Sequence, residues 1–238
     1  MLQLRFKGSQ VLMLVFSAVF SLFSSCTGQG AADTSDEMKQ NQNKSTKSPM
    51  ETKKNSNKTI LCFGTSLTAG YGLDVKEAFP ALIQEKIDAA GLPYTVINAG
   101  LSGETSAAGN SRIDWLLKQP VDLLILELGA NDGLRGLPIL ETKKNLQEIT
   151  DKVRKKYPEA KIVLAGMQIP PSMGAKYADE FKSLFPDLAR KNDMKLVPFL
   201  LQGVGGVPKL NQEDGIHPTA EGQKILAENV WSVLKPIL

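Results

Sequence analysis

The stretch "VDLLILEL" (121–128) is a nearly unbroken apolar run of strand length. A strand with one wet face alternates polar and apolar residues, whereas a continuous run needs cover on both faces, as in the interior of a parallel sheet. "TILCF" (59–63), "YTVIN" (94–98), "AKIVLAG" (160–166) and "MKLVPF" (194–199) read the same way. Between them lie helical stripes: Phe79, Leu82, Ile83 and Ile87; Ile113, Leu116 and Leu117; Leu146, Ile149, Val153 and Tyr157; and Tyr177, Phe181, Leu184 and Leu188. Each stripe presents one apolar face, as a helix packing on a sheet requires. A last helix is expected from near Thr219 to Leu234, with Trp231 inward. Regular alternation of strand and helix predicts an α/β fold with an open parallel five-stranded sheet, helices on both faces and right-handed crossovers.

These elements occupy 59–238, enough for one well-buried domain in a chain of 238 residues with 42% hydrophobic content. What precedes them is different. Residues 1–25 carry Arg5 and Lys7, an apolar core from Val11 to Phe23, and then Ser24 and Ser25 before Cys26. The pattern reads as a signal peptide, because a core of roughly 13 residues falls short of the ~18–20 that a spanning helix needs. Small residues ahead of Cys26 resemble the lipobox of bacterial lipoproteins, with Phe23 where that pattern usually has Leu. The resemblance implies cleavage before Cys26 and attachment of lipid to it, hence an exported, membrane-anchored lipoprotein facing the cell envelope. The alternative is an ordinary exported protein, periplasmic or secreted, in which Cys26 is an incidental thiol. Residues 26–58, rich in Ser, Thr, Asn, Gln and Lys, bury too little apolar surface to offset their ordering entropy and are expected to form a tether. A random coil of this length spans on the order of 30 Å.

Charge divides along the same boundary. Residues 1–58 hold eight Lys and Arg against four Asp and Glu, which leaves 20 against 21 in the domain. No basic footprint for nucleic acid remains there. The two cysteines, Cys26 and Cys62, offer no disulfide within the domain, and one histidine with one strand cysteine gives no metal-ligand spacing. No cofactor is implied, and the chain is expected to act as a monomer.

In an open parallel sheet, ligands bind outside the carboxyl ends of the strands, so the segments after each strand are where chemistry is sought. After the first comes "GTSLTAGYG" (64–72). It lacks the Lys of a phosphate loop, the glycine spacing of a dinucleotide fingerprint, and the final glycine of an α/β-hydrolase elbow, where Thr68 stands. Ser66 is left as either a nucleophile or a turn residue. "NAGLSGETS" (98–106) and "ELGANDG" (127–133) follow the next two strands, and their Gly and Asn can aim N–H groups at a shared crevice. Asn131 read alone is more often a turn residue than a catalytic one, since Asn tolerates turn geometry easily. "NQEDGIHPTAEG" (211–222) holds the single histidine, His217, three residues after Asp214. One helix-like turn would let the two meet. A carboxylate on Nδ1–H would then leave Nε2 free to take a proton from a serine.

Together the four segments offer a nucleophile, a base, an orienting acid and oxyanion donors at one sheet edge. In that order, "GTSLTAGYG", "NAGLSGETSAAG", "ELGANDGLRGLP" and "DGIHP" resemble the blocks of the SGNH or GDSL hydrolase family across essentially all of 59–238. They are most similar to its bacterial multifunctional thioesterase, lysophospholipase and arylesterase subgroup. The resemblance implies a three-layer, flavodoxin-like sheet and a serine esterase. It makes Ser66 the nucleophile, His217 the general base and Asp214 its partner. The oxyanion hole would be the backbone N–H groups of Ser66 and Gly103 with the Asn131 side chain. Thr65 departs from the family, which has Asp before the nucleophile.

The implied substrates are small acyl esters or lysolipids, since an exported enzyme does not meet cytosolic acyl-CoA. The loops 166–174 and 200–213 either line an apolar acyl pocket or simply terminate elements with Pro and Gly. The alternatives are a carbohydrate O-acetyl esterase, or a catalytically weak, surface-tethered binding module in which Thr65 marks an inactive site.

Overall fold

The computed structural model describes residues 57–238. The signal-peptide reading of 1–25, lipid attachment at Cys26 and nearly all of the tether at 26–58 lie outside the described residues.

Strands β1 (Lys58–Gly64), β2 (Tyr94–Gly100), β3 (Leu123–Glu127), β4 (Lys161–Ala165) and β5 (Lys195–Val197) form one all-parallel sheet in the order β2-β1-β3-β4-β5. β1 and β3 are central, which is why "ILCFG" and "LLILE" are buried from end to end. β2 is an edge strand with only one protected flank, and its Thr95 and Ile97 reach solvent. The expectation that every strand is covered on both faces therefore fails there.

The helices lie on both sides. α1 (Ser66–Ala69) is a single turn, followed by α2 (Phe79–Ala89), α3 (Ser106–Leu116), α4 (Ala130–Leu134), α5 (Ile139–Lys156), α6 (Ala175–Lys191) and α7 (Ala220–Leu234). α2 packs with α7, while α3 packs with α5 and α5 with α6. Each of the long helices buries the stripe predicted for it: Phe79, Ile83 and Ile87 on α2, Leu146, Ile149 and Val153 on α5, and Phe181, Leu184 and Leu188 on α6. On α7 the inward face is Leu226, Ala227, Val230 and Leu234. Trp231 sits at the margin of that face, half-buried, because it is one position round the helix from Val230.

All five strands point the same way, so their carboxyl ends share one edge. The turns 64–66, 100–106, 127–131 and 166–171 leave from that edge, and the loop before α7 returns to it. The rest of the fold serves to hold these segments still.

Candidate active site

β1 ends at Gly64, and the chain enters α1 at once through Thr65, whose extended backbone (φ −99°, ψ −151°) sets the start of the helix. Ser66 is the first helical residue. The turn is anchored from below by Glu127, the last residue of β3 and the register partner of Gly64. Its fully buried carboxylate accepts the Thr65 N–H (2.8 Å), the Thr65 hydroxyl (3.0 Å to each oxygen) and the Thr68 hydroxyl (2.8 Å). Only glycine fits at 64, where a Cβ would lie 2.1 Å from Thr68 Oγ1 and 2.5 Å from Glu127 Oε2. Burial pushes the Glu127 carboxyl up from 4.5 to about 7, against the pull of those hydrogen bonds.

The loop before α7 is closed by a side chain. Asp214 Oδ1 accepts the N–H groups of Ile216 and His217, each at 3.0 Å, so an Asx-type turn replaces the helix-like one expected. Its Oδ2 lies 2.6 Å from His217 Nδ1, and His217 Nε2 lies 2.9 Å from Ser66 Oγ. The hydrogen bond from the imidazole, followed by the two backbone N–H groups, holds the Asp214 carboxyl down at about 2. An ionised carboxylate only accepts, so Nδ1 carries the imidazole proton and Nε2 presents a lone pair to the serine. The loop is braced by Gln212, whose N–H donates to the His217 carbonyl (2.7 Å) and whose amide donates to the Tyr71 carbonyl (2.7 Å). The Tyr71 ring packs against the imidazole with centroids 4.5 Å apart.

Asn131 is brought to the same cleft by Gly129, whose left-handed backbone (φ +108°) turns β3 into α4. Its Nδ2 donates to the Glu104 carbonyl at 3.0 Å, which fixes the amide. Across from it the Gly103 carbonyl accepts from Arg135 at 3.1 Å. Buried Asp132 ties the two segments together by accepting both the N–H (2.8 Å) and the hydroxyl (2.5 Å) of Ser106. Ser66, Gly103, Asn131 and His217 all line one cleft of about 740 Å³, while Asp214 stands behind the histidine. The rest of its wall is largely apolar, including Leu134, Met167, Ile169, Phe199 and Leu201. Both loops singled out in the sequence, 166–174 and 200–213, contribute to it.

Three supports escaped the sequence reading: Glu127, Asp132 and Tyr71. For Glu127 a signal existed, since an acid at the end of a strand that is otherwise entirely apolar must find buried partners. Nothing local marks Tyr71, whose contact with His217 joins residues far apart in the chain.

The model of the GDSL-like lipase/acylhydrolase family matches residues 62–225. Esterase TesA of Pseudomonas aeruginosa is 42% identical over 181 residues, covering 76% of this chain and 89% of that protein. Thioesterase 1/protease 1/lysophospholipase L1 of Escherichia coli is 36% identical over 181 residues, covering 76% and 85%. A crystal structure of TesA, 42% identical, superposes with a TM-score of 0.73 over 76% of this chain and all of that one. The matched span begins near the end of β1 and runs on into α7, so it includes each turn that reaches the cleft. The chain belongs to the GDSL-like lipase/acylhydrolase family and is a carboxylic ester hydrolase.

Proposed function

We propose that the reaction is two-step acyl transfer through Ser66. As Ser66 Oγ attacks an ester carbonyl, His217 Nε2 takes its proton, and Asp214 stabilises the imidazolium that results. The negative charge that develops on the carbonyl oxygen is met by the N–H groups of Ser66 and Gly103 and by the Asn131 amide. His217 returns the proton to the departing alcohol or thiol, then activates water to release the acid. The observation that carries this reading is the unbroken chain of contacts Asp214–His217–Ser66 at 2.6 and 2.9 Å.

The apolar wall supports small acyl esters and lysophospholipids as substrates, with thioesters accepted by the same chemistry. Among the described residues, Tyr71 and Phe199 are the aromatic side chains that line it besides the His217 ring, which is poor provision for stacking a sugar. The sequence of residues 1–26 supports export and lipid anchoring at Cys26; labelling cells with radioactive fatty acid should mark the wild type and not Cys26→Ala.

A fluorophosphonate probe tests the site itself. It reacts only with an activated serine, so label found on Ser66 by peptide mass spectrometry is the expected result. No reaction, or label elsewhere, would favour a binding module on the same scaffold.

A further inference from the structure

Beneath the nucleophile lies a buried acid that the reaction as described does not use. Glu127 makes no ion pair among the described residues; the partners of its carboxylate are the Thr65 N–H and the Thr65 and Thr68 hydroxyls. All of these belong to the turn that carries Ser66. The residues on either side of the nucleophile in this contact, 65 and 68, are themselves buried and turned away from bulk water. Cys62, on the neighbouring strand β1, is also buried, and burial raises its thiol so that it remains neutral. The carboxylate therefore has no charged neighbour bonded to it, and its hydrogen bonds are spent on one turn.

We infer that Glu127 is a positioning residue for Ser66, clamping the β1–α1 turn through Thr65 and Thr68 so that the serine hydroxyl and its own N–H face His217 and the cleft. This rests on the reading of Ser66 as nucleophile. The ionised carboxylate takes all three donors as acceptor, whereas a protonated one gives up an acceptor position and must reorganise its contact with the Thr65 hydroxyl. Burial brings this carboxyl to about 7, so the clamp changes state near neutrality. Thr65 then has a definite part: its hydroxyl is a donor to the buried acid, not a vacancy in the catalytic machinery.

The test measures p-nitrophenyl butyrate hydrolysis from pH 5 to 9 for the full chain and two variants. Glu127→Gln keeps the shape but loses the charge and one acceptor. Turnover is expected to fall roughly 10- to 100-fold through misplacement of the nucleophile, with KM nearly unchanged because Glu127 does not line the cleft. The part of the profile contributed by the Glu127 ionisation is expected to vanish, while the dependence on the general base His217 remains. Thr65→Val removes one donor to the charged form, so the same ionisation should move to higher pH. A Glu127→Gln profile that superposes on wild type would overturn the inference. If that variant does not fold, Thr65→Val decides: an upward shift supports the clamp, and an unmoved profile refutes it. Ser66→Ala, run alongside, separates the two layers, since activity surviving there would remove the nucleophile assignment as well as its clamp.

Discussion

Asp214 keeps its charge in acid because it gains the imidazole and two backbone N–H groups on folding. Its carboxyl is depressed, so the stabilisation it gives the loop is complete above its ordinary 3.8 and disappears only as pH falls through about 2. Asp214→Asn should lower turnover at every working pH, because the imidazole loses the carboxylate that orients it and stabilises its charged form, which a pH–rate profile checks. Glu127 behaves in the opposite sense. Its carboxyl is raised, so its contribution to stability is complete below 4.5 and is lost as pH rises through about 7. That interval corresponds to on the order of 3 kcal/mol. Urea unfolding at pH 5 and pH 8 should show this loss in wild type and a flatter response in Glu127→Gln. Asn131→Ala should fold normally and lose about 100- to 1000-fold in turnover, the usual cost of an oxyanion donor. Ser66, Asn131, Asp214 and His217 were legible as candidates because their segments are expected at one sheet edge, where the resemblance gives each a role. Glu127 was not, because its role depends on register with Gly64, a relation between strands that a local pattern does not carry.

The sheet and the long helices were legible for a simple reason: apolar periodicity is dictated by which faces are covered. Strands β1, β3 and β4 follow it closely, and so do α2, α5 and α6. The short elements were not visible. α1 and α4 are too brief to show a period, and each is imposed by tertiary contacts, α1 by the Glu127 anchor and α4 by the Gly129 turn. The exposure of β2 was also hidden, since strand order decides which strand is an edge. Gly64 is the element-level weak point, because a Cβ there would meet Thr68 of α1 and Glu127 of β3. Gly64→Ala should destabilise the domain by about 1–3 kcal/mol through overpacking, measurable by urea unfolding, and displace the Ser66 turn so that turnover falls as well.

Across the whole molecule, one edge of a rigid sheet collects residues separated by as many as 151 positions, as Ser66 and His217 are. The cleft that results has a largely apolar wall, so affinity should grow with the acyl chain. Each added methylene buried contributes ~0.8 kcal/mol, or about fourfold in kcat/KM along a series from p-nitrophenyl acetate upward until the cleft is filled. A flat series would mean that the apolar wall does not hold the acyl group. The central claim, that Ser66 is the nucleophile driven by His217 and Asp214, is tested most directly by p-nitrophenyl butyrate hydrolysis with purified Ser66→Ala. The predicted result is a folded protein whose turnover is reduced at least about 1000-fold. A rate equal to that of the wild type would contradict it.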